Sequence, residues 1–222
     1  MAPAFVVGYD GSAAARDAVR FAERLGRAAN ARVVAVNVRP PIQPTCGHRE
    51  PDGADRAVAE GAGEQAEDLL AALDGDVARR AVEAGSTAEG LEAVADEEGA
   101  IVIVLAASQR KGRVRRELLE RLRHELLVVP EGTAAELPQR VAAVDDGGET
   151  ARDALAAAAT LAQRFDARLA VISAPGGESA PDIAFAREVE ERVERDLREA
   201  LGGTGREIEA DLTIVSGPPG PG

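Results

Sequence analysis

The sequence predicts an α/β protein with a doubly wound parallel sheet, followed by a partial second copy of the same unit. Short apolar runs alternate with longer amphipathic stretches, which is the pattern of strand–helix–strand crossovers in a parallel sheet. The opening motif recurs, because Asp10-Gly11 and the helix after it match Asp146-Gly147 at an offset of 136 residues. With 4 Phe, 1 Tyr and no Trp, the cores must be aliphatic.

The first copy is predicted to contain five strands that alternate with helices. A helix is predicted over residues 13–29 with Ser12 as its N-cap, and Ser86 with Glu89 forms a capping box that opens another helix. Proline-rich residues 39–54 are predicted to form a long loop, and residues 130–138 a linker. The predicted strands are residues 5–7, 33–38, 77–82, 101–105 and 126–129.

The second copy is predicted over residues 139–222, after a first domain of residues 1–132. The match continues without gaps for some thirty residues, so that Leu25 corresponds to Leu161 and Ala31 to Ala167. Nothing in this copy corresponds to the fourth strand, the helix after it or the fifth strand. We therefore predict a duplication whose second member is incomplete. Its predicted elements are strands at 141–144, 169–172 and 208–215, and helices that end near 165 and span about 184–201.

The composition describes a strongly acidic chain. It has 26 basic and 39 acidic residues, which gives a net charge of -13 spread along the whole length. Binders of nucleic acid or of anionic membranes carry a basic surface, because phosphate contacts supply most of their affinity. The scarcity of aromatic residues also leaves little on which bases could stack. We therefore expect no nucleic-acid partner and no membrane partner.

Cysteine usage and the start of the chain predict a cytoplasmic protein. Cys46 is the only cysteine, which excludes an intrachain disulfide and a zinc site built on several thiolates. His48 lies two residues further on, but two ligands make no closed metal site, so we expect no metal. Residues 1–11 have no basic segment before their short apolar run, and no stretch approaches the roughly 18 apolar residues of a membrane span.

Three adjacent features of the first copy carry a family resemblance. A strand ends in Asp10-Gly11-Ser12, a helix follows with Ala-Arg-Asp-Ala at residues 15–18, and the next strand reads Val-Val-Ala-Val-Asn-Val. These features resemble the universal stress protein family, and two copies in one chain resemble its tandem members. The resemblance implies a sheet of strand order 3-2-1-4-5, with a ligand crevice at the topological switch point between strands 1 and 4.

The resemblance also implies candidate binding residues. Nucleotide-binding members of the family place ATP in this crevice, where an acidic residue after strand 1 and a Val at the end of strand 2 contact the adenosine side. Their phosphates are held by a Gly-x2-Gly-x9-Gly-Ser/Thr loop after strand 4, whose glycines let backbone N–H groups approach. The candidate nucleotide-binding residues that follow from it are Asp10, Gly11, Ser12, Val38 and Arg110.

The phosphate loop is where this sequence departs from the family. Counted from the end of strand 4 at the motif's spacing, Ala107, Arg110, Glu120 and Arg121 replace the three glycines and the Ser/Thr. A second alignment is possible because the stretch before strand 5 is short, but neither alignment yields a Gly-Ser pair. In the first alignment Glu120 would bring negative charge towards a phosphate. The second copy keeps only the acidic residue of the site, Asp146.

A basic segment, residues 109–124, interrupts the acidic chain. One hypothesis is a site for an anion or an acidic partner near the crevice, where arginines replace the lost backbone donors. The alternative is a solvated helix held by pairs at helical spacing, namely Arg113–Glu117, Arg116–Glu120 and Glu117–Arg121. The seven basic residues are Arg110, Lys111, Arg113, Arg115, Arg116, Arg121 and Arg123.

The function predicted from these observations is regulatory and not catalytic. The chain has neither a Walker motif nor Gly-x-Gly-x-x-Gly, and its two histidines, His48 and His124, supply no obvious base for a catalytic triad. We expect no catalytic residue and no cofactor, and a module that binds a protein partner in the stress response. The alternative is a stress sensor that binds ATP or a related adenosine ligand through Asp10 and Val38.

The resemblance finally implies a homodimer. Family members commonly dimerise through strand 5, predicted here at residues 126–129, and the second copy has no fifth strand to cover that edge. An uncovered apolar edge strand exposes unpaired backbone groups, which a two-fold related chain would satisfy.

Overall fold

The computed structural model describes residues 3–41, 53–107, 112–121, 123–133, 137–173, 183–200 and 210–214. They belong to two compact units, Met1–Leu137 and Pro138–Gly222. No helix in the described ranges is long and apolar enough to cross a membrane.

The first unit is a doubly wound α/β domain. Its five strands are all parallel and lie in the order β3-β2-β1-β4-β5, which confirms the predicted fold class. The strands are β1 (Ala4–Gly8), β2 (Arg32–Arg39), β3 (Ala78–Glu83), β4 (Ala100–Ala106) and β5 (Glu125–Val129). The helices are α1 (Ala13–Ala29), α2 (Gly53–Ala71), α3 (Thr87–Glu98) and α4 (Gly112–Arg121).

The predicted loop at residues 39–54 is shorter in the structure at both ends. Arg39 ends β2, and Gly53 and Ala54 begin α2, so the prediction was wrong at these three positions. The prolines that suggested a loop lie elsewhere in the segment: Pro40 and Pro41 directly follow β2, and Pro44 and Pro51 lie outside the described ranges.

The central strands of the first sheet are buried from both faces. On one face Val6, Val34 and Ile103 pack in a single cluster with Leu91 of α3. Phe5 and Val7 point to the other face, where they are also buried, 3% and 0% exposed. Burial on both faces explains why these strands are continuous runs of apolar residues.

Local capping fixes where α1 and α3 begin. The Ser12 side chain accepts a hydrogen bond from the backbone N–H of Ala15, and the Ser86 side chain accepts one from Glu89, both at 3.1 Å. Each bond satisfies one of the amides that a helix leaves unpaired at its first turn. Both predicted N-caps are confirmed.

The second unit is a smaller sheet with two helices. Its strands are parallel and lie in the order β6-β7-β8, and Leu155, Val171 and Val189 pack together in its core. On the other face of β6, Val144 is 62% exposed. The elements are β6 (Arg140–Asp145), α5 (Glu149–Phe165), β7 (Arg168–Ser173), α6 (Ile183–Ala200) and β8 (Ala210–Ile214).

The elements of the two units recur at the offset found in the sequence. Helix α5 begins and ends 136 residues after α1. Each helix is closed by a residue with left-handed backbone, Asn30 and Asp166, both with φ of 53°. The internal duplication remains a prediction, which these equal offsets support.

Candidate functional site

The candidate site is the edge of the first sheet where β1, β2 and β4 end. In the order β2-β1-β4 the winding reverses between β1 and β4, and open α/β sheets form ligand crevices at such a point. Asp10, Gly11 and Ser12 follow β1 at this edge, and Val38 is the penultimate residue of β2. The structure therefore brings these four predicted residues to one edge of the sheet. Arg110 lies outside the described residues.

The loop after β1 holds an exposed carboxylate in a fixed position. Asp10 Oδ1 accepts hydrogen bonds from Ser12 N at 3.1 Å and from Ser12 Oγ at 2.6 Å. Gly11 has a φ of +78°, and a Cβ there would lie 2.6 Å from Leu69 Cδ2 of α2. Backbone conformation and close packing both require glycine at this position. The loop presents Asp10 at the mouth of the crevice.

The end of β2 is tied to the end of β1. Tyr9 N donates to Val36 O at 2.8 Å, and Asn37 Nδ2 donates to Tyr9 O at 2.9 Å. Beyond them Val38 is half-buried against α3, where a Cβ on Gly90 would lie 2.6 Å from Val38 Cγ1. Gly90 thus allows α3 to approach the wall of the crevice that Val38 forms.

The connection between β4 and α4 decides how the phosphate motif aligns. β4 ends at Ala106 and α4 begins at Gly112, so only residues 107–111 join them. Gly112-Arg113 therefore stands where the motif has Gly-Ser/Thr at the start of a helix. Glu120 lies eight residues along α4, about 12 Å from that end at 1.5 Å per residue. Glu120 would approach a phosphate only in the other alignment, which the position of α4 does not favour.

Part of the basic segment is structural. Glu117 pairs with Arg121 at 3.4 Å, whereas the other two predicted helical pairs are absent from the ion pairs of the described residues. Arg121 Nη1 also lies 3.0 Å from Glu92 Oε2 of α3, and that carboxylate side chain is only 4% exposed. Arg123 pairs with Asp96, also of α3, at 3.0 Å. These two arginines brace α4 and the residues after it against α3.

Ser86 links the N-terminus of α3 to the same network. Its hydroxyl donates to Glu117 Oε1 at 2.5 Å while it caps α3. Sequence reasoning missed this bond and the Glu92–Arg121 pair, because the partners are 31 and 29 residues apart. The sequence did contain an indication of this pair at Glu92. This residue follows Ala88 by one turn and therefore lies on the buried side of an amphipathic helix. A carboxylate there requires a cationic partner.

The corresponding loop of the second unit contains a buried ion pair. Asp145, 5% exposed, accepts hydrogen bonds from Arg192 Nη2 at 2.5 Å, Ser173 Oγ at 3.3 Å and Gly147 N at 3.0 Å. Arg192 lies against the loop itself, because its Nη1 is 2.8 Å from where a Cβ on Gly147 would be. Asp146 Oδ1 accepts a local hydrogen bond from Gly148 N at 2.9 Å. The guanidinium of Arg192 thus packs against the loop that corresponds to the candidate site of the first unit.

Metal ligands do not converge at either loop. In the part of the chain that the structure describes, no three His, Cys, Asp or Glu side chains are grouped so that they could hold a metal ion. Cys46 and His48 lie outside the described ranges.

A parallel sheet of order 3-2-1-4-5 with an acidic loop at its switch point is typical of Rossmann-like α/β proteins, whose ligand crevice lies at that point. The model of the universal stress protein family matches residues 1–127, more than half of the 222-residue chain. The chain therefore belongs to the universal stress protein family.

Several solved structures are similar to this chain. The chain is 29% identical to a protein of this family from Burkholderia pseudomallei, over 57% of this chain and 95% of that one, with a TM-score of 0.43. It is 22% identical to the universal stress protein from Archaeoglobus fulgidus in complex with dAMP, over 58% and 98%, with a TM-score of 0.40. A universal stress protein from Archaeoglobus fulgidus DSM 4304 is 16% identical over 96% and 78%, with a TM-score of 0.62, and shares the fold. Among curated proteins none matches significantly.

Proposed function

We propose that this chain is a non-catalytic, regulatory universal stress protein that acts in the cytoplasm by binding a partner, and that it neither binds ATP tightly nor hydrolyses it. The observation that carries this proposal is the connection between β4 and α4. The motif Gly-x2-Gly-x9 needs thirteen residues before the glycine that opens the helix, and here residues 107–111 provide five.

A connection this short lacks the parts of a phosphate cradle. Such a cradle needs several successive backbone N–H groups that are free to point at the phosphates. The N–H of Ala107, the first residue of the connection, donates to Val129 O at 2.7 Å and so belongs to the sheet. At the start of α4, Arg113 replaces the hydroxyl residue of the motif. One backbone donor of the connection is therefore already used, and the side-chain hydroxyl of the motif is replaced.

A second candidate function is that of an adenine-nucleotide sensor. Asp10 is held at the mouth of the crevice, where the family's acidic residue contacts the adenosine side. The exposed Arg113, Arg115 and Arg116 on the first half of α4 supply positive charge near a helix N-terminus, which favours anions. This candidate requires that side-chain guanidinium groups replace the missing loop.

Calorimetric titration of the full chain with MgATP and with AMP separates the two functions. We expect no binding in the micromolar range and no release of phosphate on incubation. A micromolar Kd, about 8 kcal/mol of binding free energy, would contradict the proposal and favour the sensor. In that case the Asp10→Ala variant should lose the affinity for AMP, since the carboxylate would hold the adenosine side.

The same proposal includes a homodimer formed through β5. Among the described residues β5 pairs only with β4, so its other edge offers unpaired backbone groups to a second copy.

A further inference from the structure

A pocket of about 430 Å³ lies at the opposite end of the first unit from the crevice. It opens between the C-terminal half of α4 and the beginnings of β4 and β5, so it faces the amino-terminal edge of the sheet. Its apolar lining includes Ile101, Leu118, Leu119 and Leu126. The volume lies in the range of pockets that hold small ligands or a partner's side chains.

The apolar lining is exposed to an unusual degree. Ile101 is 51% exposed and Leu119 is 49% exposed, and both line this one pocket. Adjacent large aliphatic side chains left open to solvent around a concavity are typical of interaction sites. An apolar side chain of a partner would cover both.

A buried polar atom at the pocket lacks a partner. His124 lines the pocket with its side chain 11% exposed, and its Nε2 lies 3.4 Å from Asp96 Oδ1. Its Nδ1 is fully buried and makes no hydrogen bond within the described residues. Because Nδ1 is buried, a bound chain cannot reach it, and this atom contributes nothing to recognition of a partner.

Positive charge lies on α4 beside the pocket, although the two arginines concerned do not line it. Arg115 and Arg116 precede Leu119 by one helical turn, are exposed, and take part in no ion pair among the described residues. Arg123, which lines the pocket, is already paired with Asp96, and the exposed Glu125 stands beside it. A negatively charged partner segment would therefore be attracted towards Arg115 and Arg116.

From these features we infer a docking site on α4 for an acidic peptide segment of a protein partner, with an apolar residue in the Ile101–Leu119 pocket and acidic residues beside Arg115 and Arg116. The inference rests on the proposed partner-binding role and names the partner's chemistry. Clusters of arginine are a recurring way to recognise acidic motifs, and the apolar pocket supplies the anchor that fixes position.

A peptide fits this site better than a nucleic acid does. The lining contains no Phe, Tyr or Trp, and the side chain of its one histidine, His124, is only 11% exposed, so little surface is left on which a base could stack. A long polyanion would also extend onto a chain whose net charge is -13. A short segment meets only the local basic face.

The test uses a fluorescein-labelled peptide in which a run of Glu precedes a Leu pair, and a matched peptide with Ser in place of Leu. Anisotropy titrations of the full chain should show binding of the Leu peptide at low salt, weakened by added salt. The Ser peptide should bind about tenfold more weakly, because it buries no apolar side chain. Equal binding of the two peptides, or none of either, would overturn the inference.

Variants locate the binding. Arg115→Ala with Arg116→Ala should weaken the Leu peptide about fivefold to tenfold. The matched control removes two exposed arginines of α6, Arg187→Ala with Arg195→Ala, and should leave binding unchanged. An equal loss in this control would mean non-specific attraction and would sink the idea.

A second pair of variants tests the pocket. Leu119→Ser should remove the preference for the Leu peptide, whereas Leu161→Ser on α5, also exposed at 37%, should keep it. Single-stranded DNA of equal charge should compete less well than unlabelled peptide. If it competes equally well, that result would also contradict a peptide site. If these tests fail, the proposed function is still decided by the ATP and AMP titrations, which test the crevice at Asp10.

Discussion

At the scale of single residues, Glu98 illustrates how one carboxylate joins three elements. It lies at the end of α3, where its Oε2 accepts from Arg32 Nη1 of β2 at 2.5 Å and its Oε1 accepts from Arg80 Nη1 of β3 at 2.7 Å. Arg32 Nη2 also donates to the backbone oxygen of Glu98 at 2.6 Å. The hydrogen bond from Arg32, with a further one from Arg80, lowers the pKa of Glu98 below its ordinary value.

The lowered pKa predicts how stability depends on pH. A carboxyl group whose pKa is lower in the folded state contributes its full share of the free energy of unfolding above the ordinary value of 4.5. That share is lost as the pH falls below 4.5 and through the folded pKa. Glu98→Gln should therefore lower the urea midpoint at pH 7 and lose less stability than the parent between pH 5 and pH 3.

Glu97→Gln is the control for this prediction. Glu97 Oε2 pairs with Arg80 Nη2 at 2.7 Å, and the Glu97 side chain is 60% exposed. Exposed pairs contribute little, so its pH profile should follow that of the parent. Identical profiles for the two variants would contradict the role assigned to Glu98.

At the scale of elements, α1 and α5 have corresponding bounds but different N-caps. Ser12 caps α1 with its hydroxyl, whereas Gly148 precedes α5 without a side-chain cap. The Ser12 hydroxyl also donates to Asp10, so one side chain both begins the helix and orders the loop at the crevice. In the first unit one side chain therefore both caps the helix and orders the loop of the candidate site. In the second unit the cap residue is Gly148, which has no side chain to do this.

Replacement of Ser12 tests the contribution of this cap. Ser12→Ala should lower the free energy of unfolding by about 1 kcal/mol, while Ser12→Gly should cost only a few tenths, since glycine is tolerated at an N-cap. Urea denaturation gives the free energies, and faster hydrogen exchange at the amide of Ala15 would locate the loss. A larger loss for glycine than for alanine would speak against the capping role.

At the scale of the whole molecule, we expect the outer edge of β5 to decide whether the chain associates. Val129 O accepts from Ala107 N, so the backbone groups of Val129 face β4. Because successive residues of a strand point their N–H and C=O to alternate sides, the groups of Val128 face the free edge. Within the described ranges no strand pairs with that edge.

Light scattering at micromolar concentration should therefore give the mass of a dimer. Val128→Pro removes a donor at the free edge and no donor of the β4–β5 ladder, so it should yield a folded monomer. Val128→Ala keeps the N–H and should remain dimeric. A monomeric parent, or a dimer that Val128→Pro leaves intact, would show that β5 is not the seam.

Much of the fold could be predicted because its causes are local. The apolar runs marked every strand to within one or two residues, and Ser12 and Ser86 marked the first turns of α1 and α3. The predicted ends of the loop at residues 39–54 were wrong. A high content of glycine and proline indicates a loop but does not show at which residue the next helix begins.

The sequence by itself determined the parallel α/β architecture, the family and the acidic loop at Asp10, since periodicity, caps and a short motif are properties of neighbouring residues. Only the tertiary structure decided that α4 begins at Gly112, that Arg121 belongs to Glu92, and that Arg192 lies against the second loop. These depend on residues far apart in the chain, and which cation reaches a buried carboxylate is fixed by how helices pack across the sheet. The same packing leaves Leu119 exposed, which no local pattern of α4 could show.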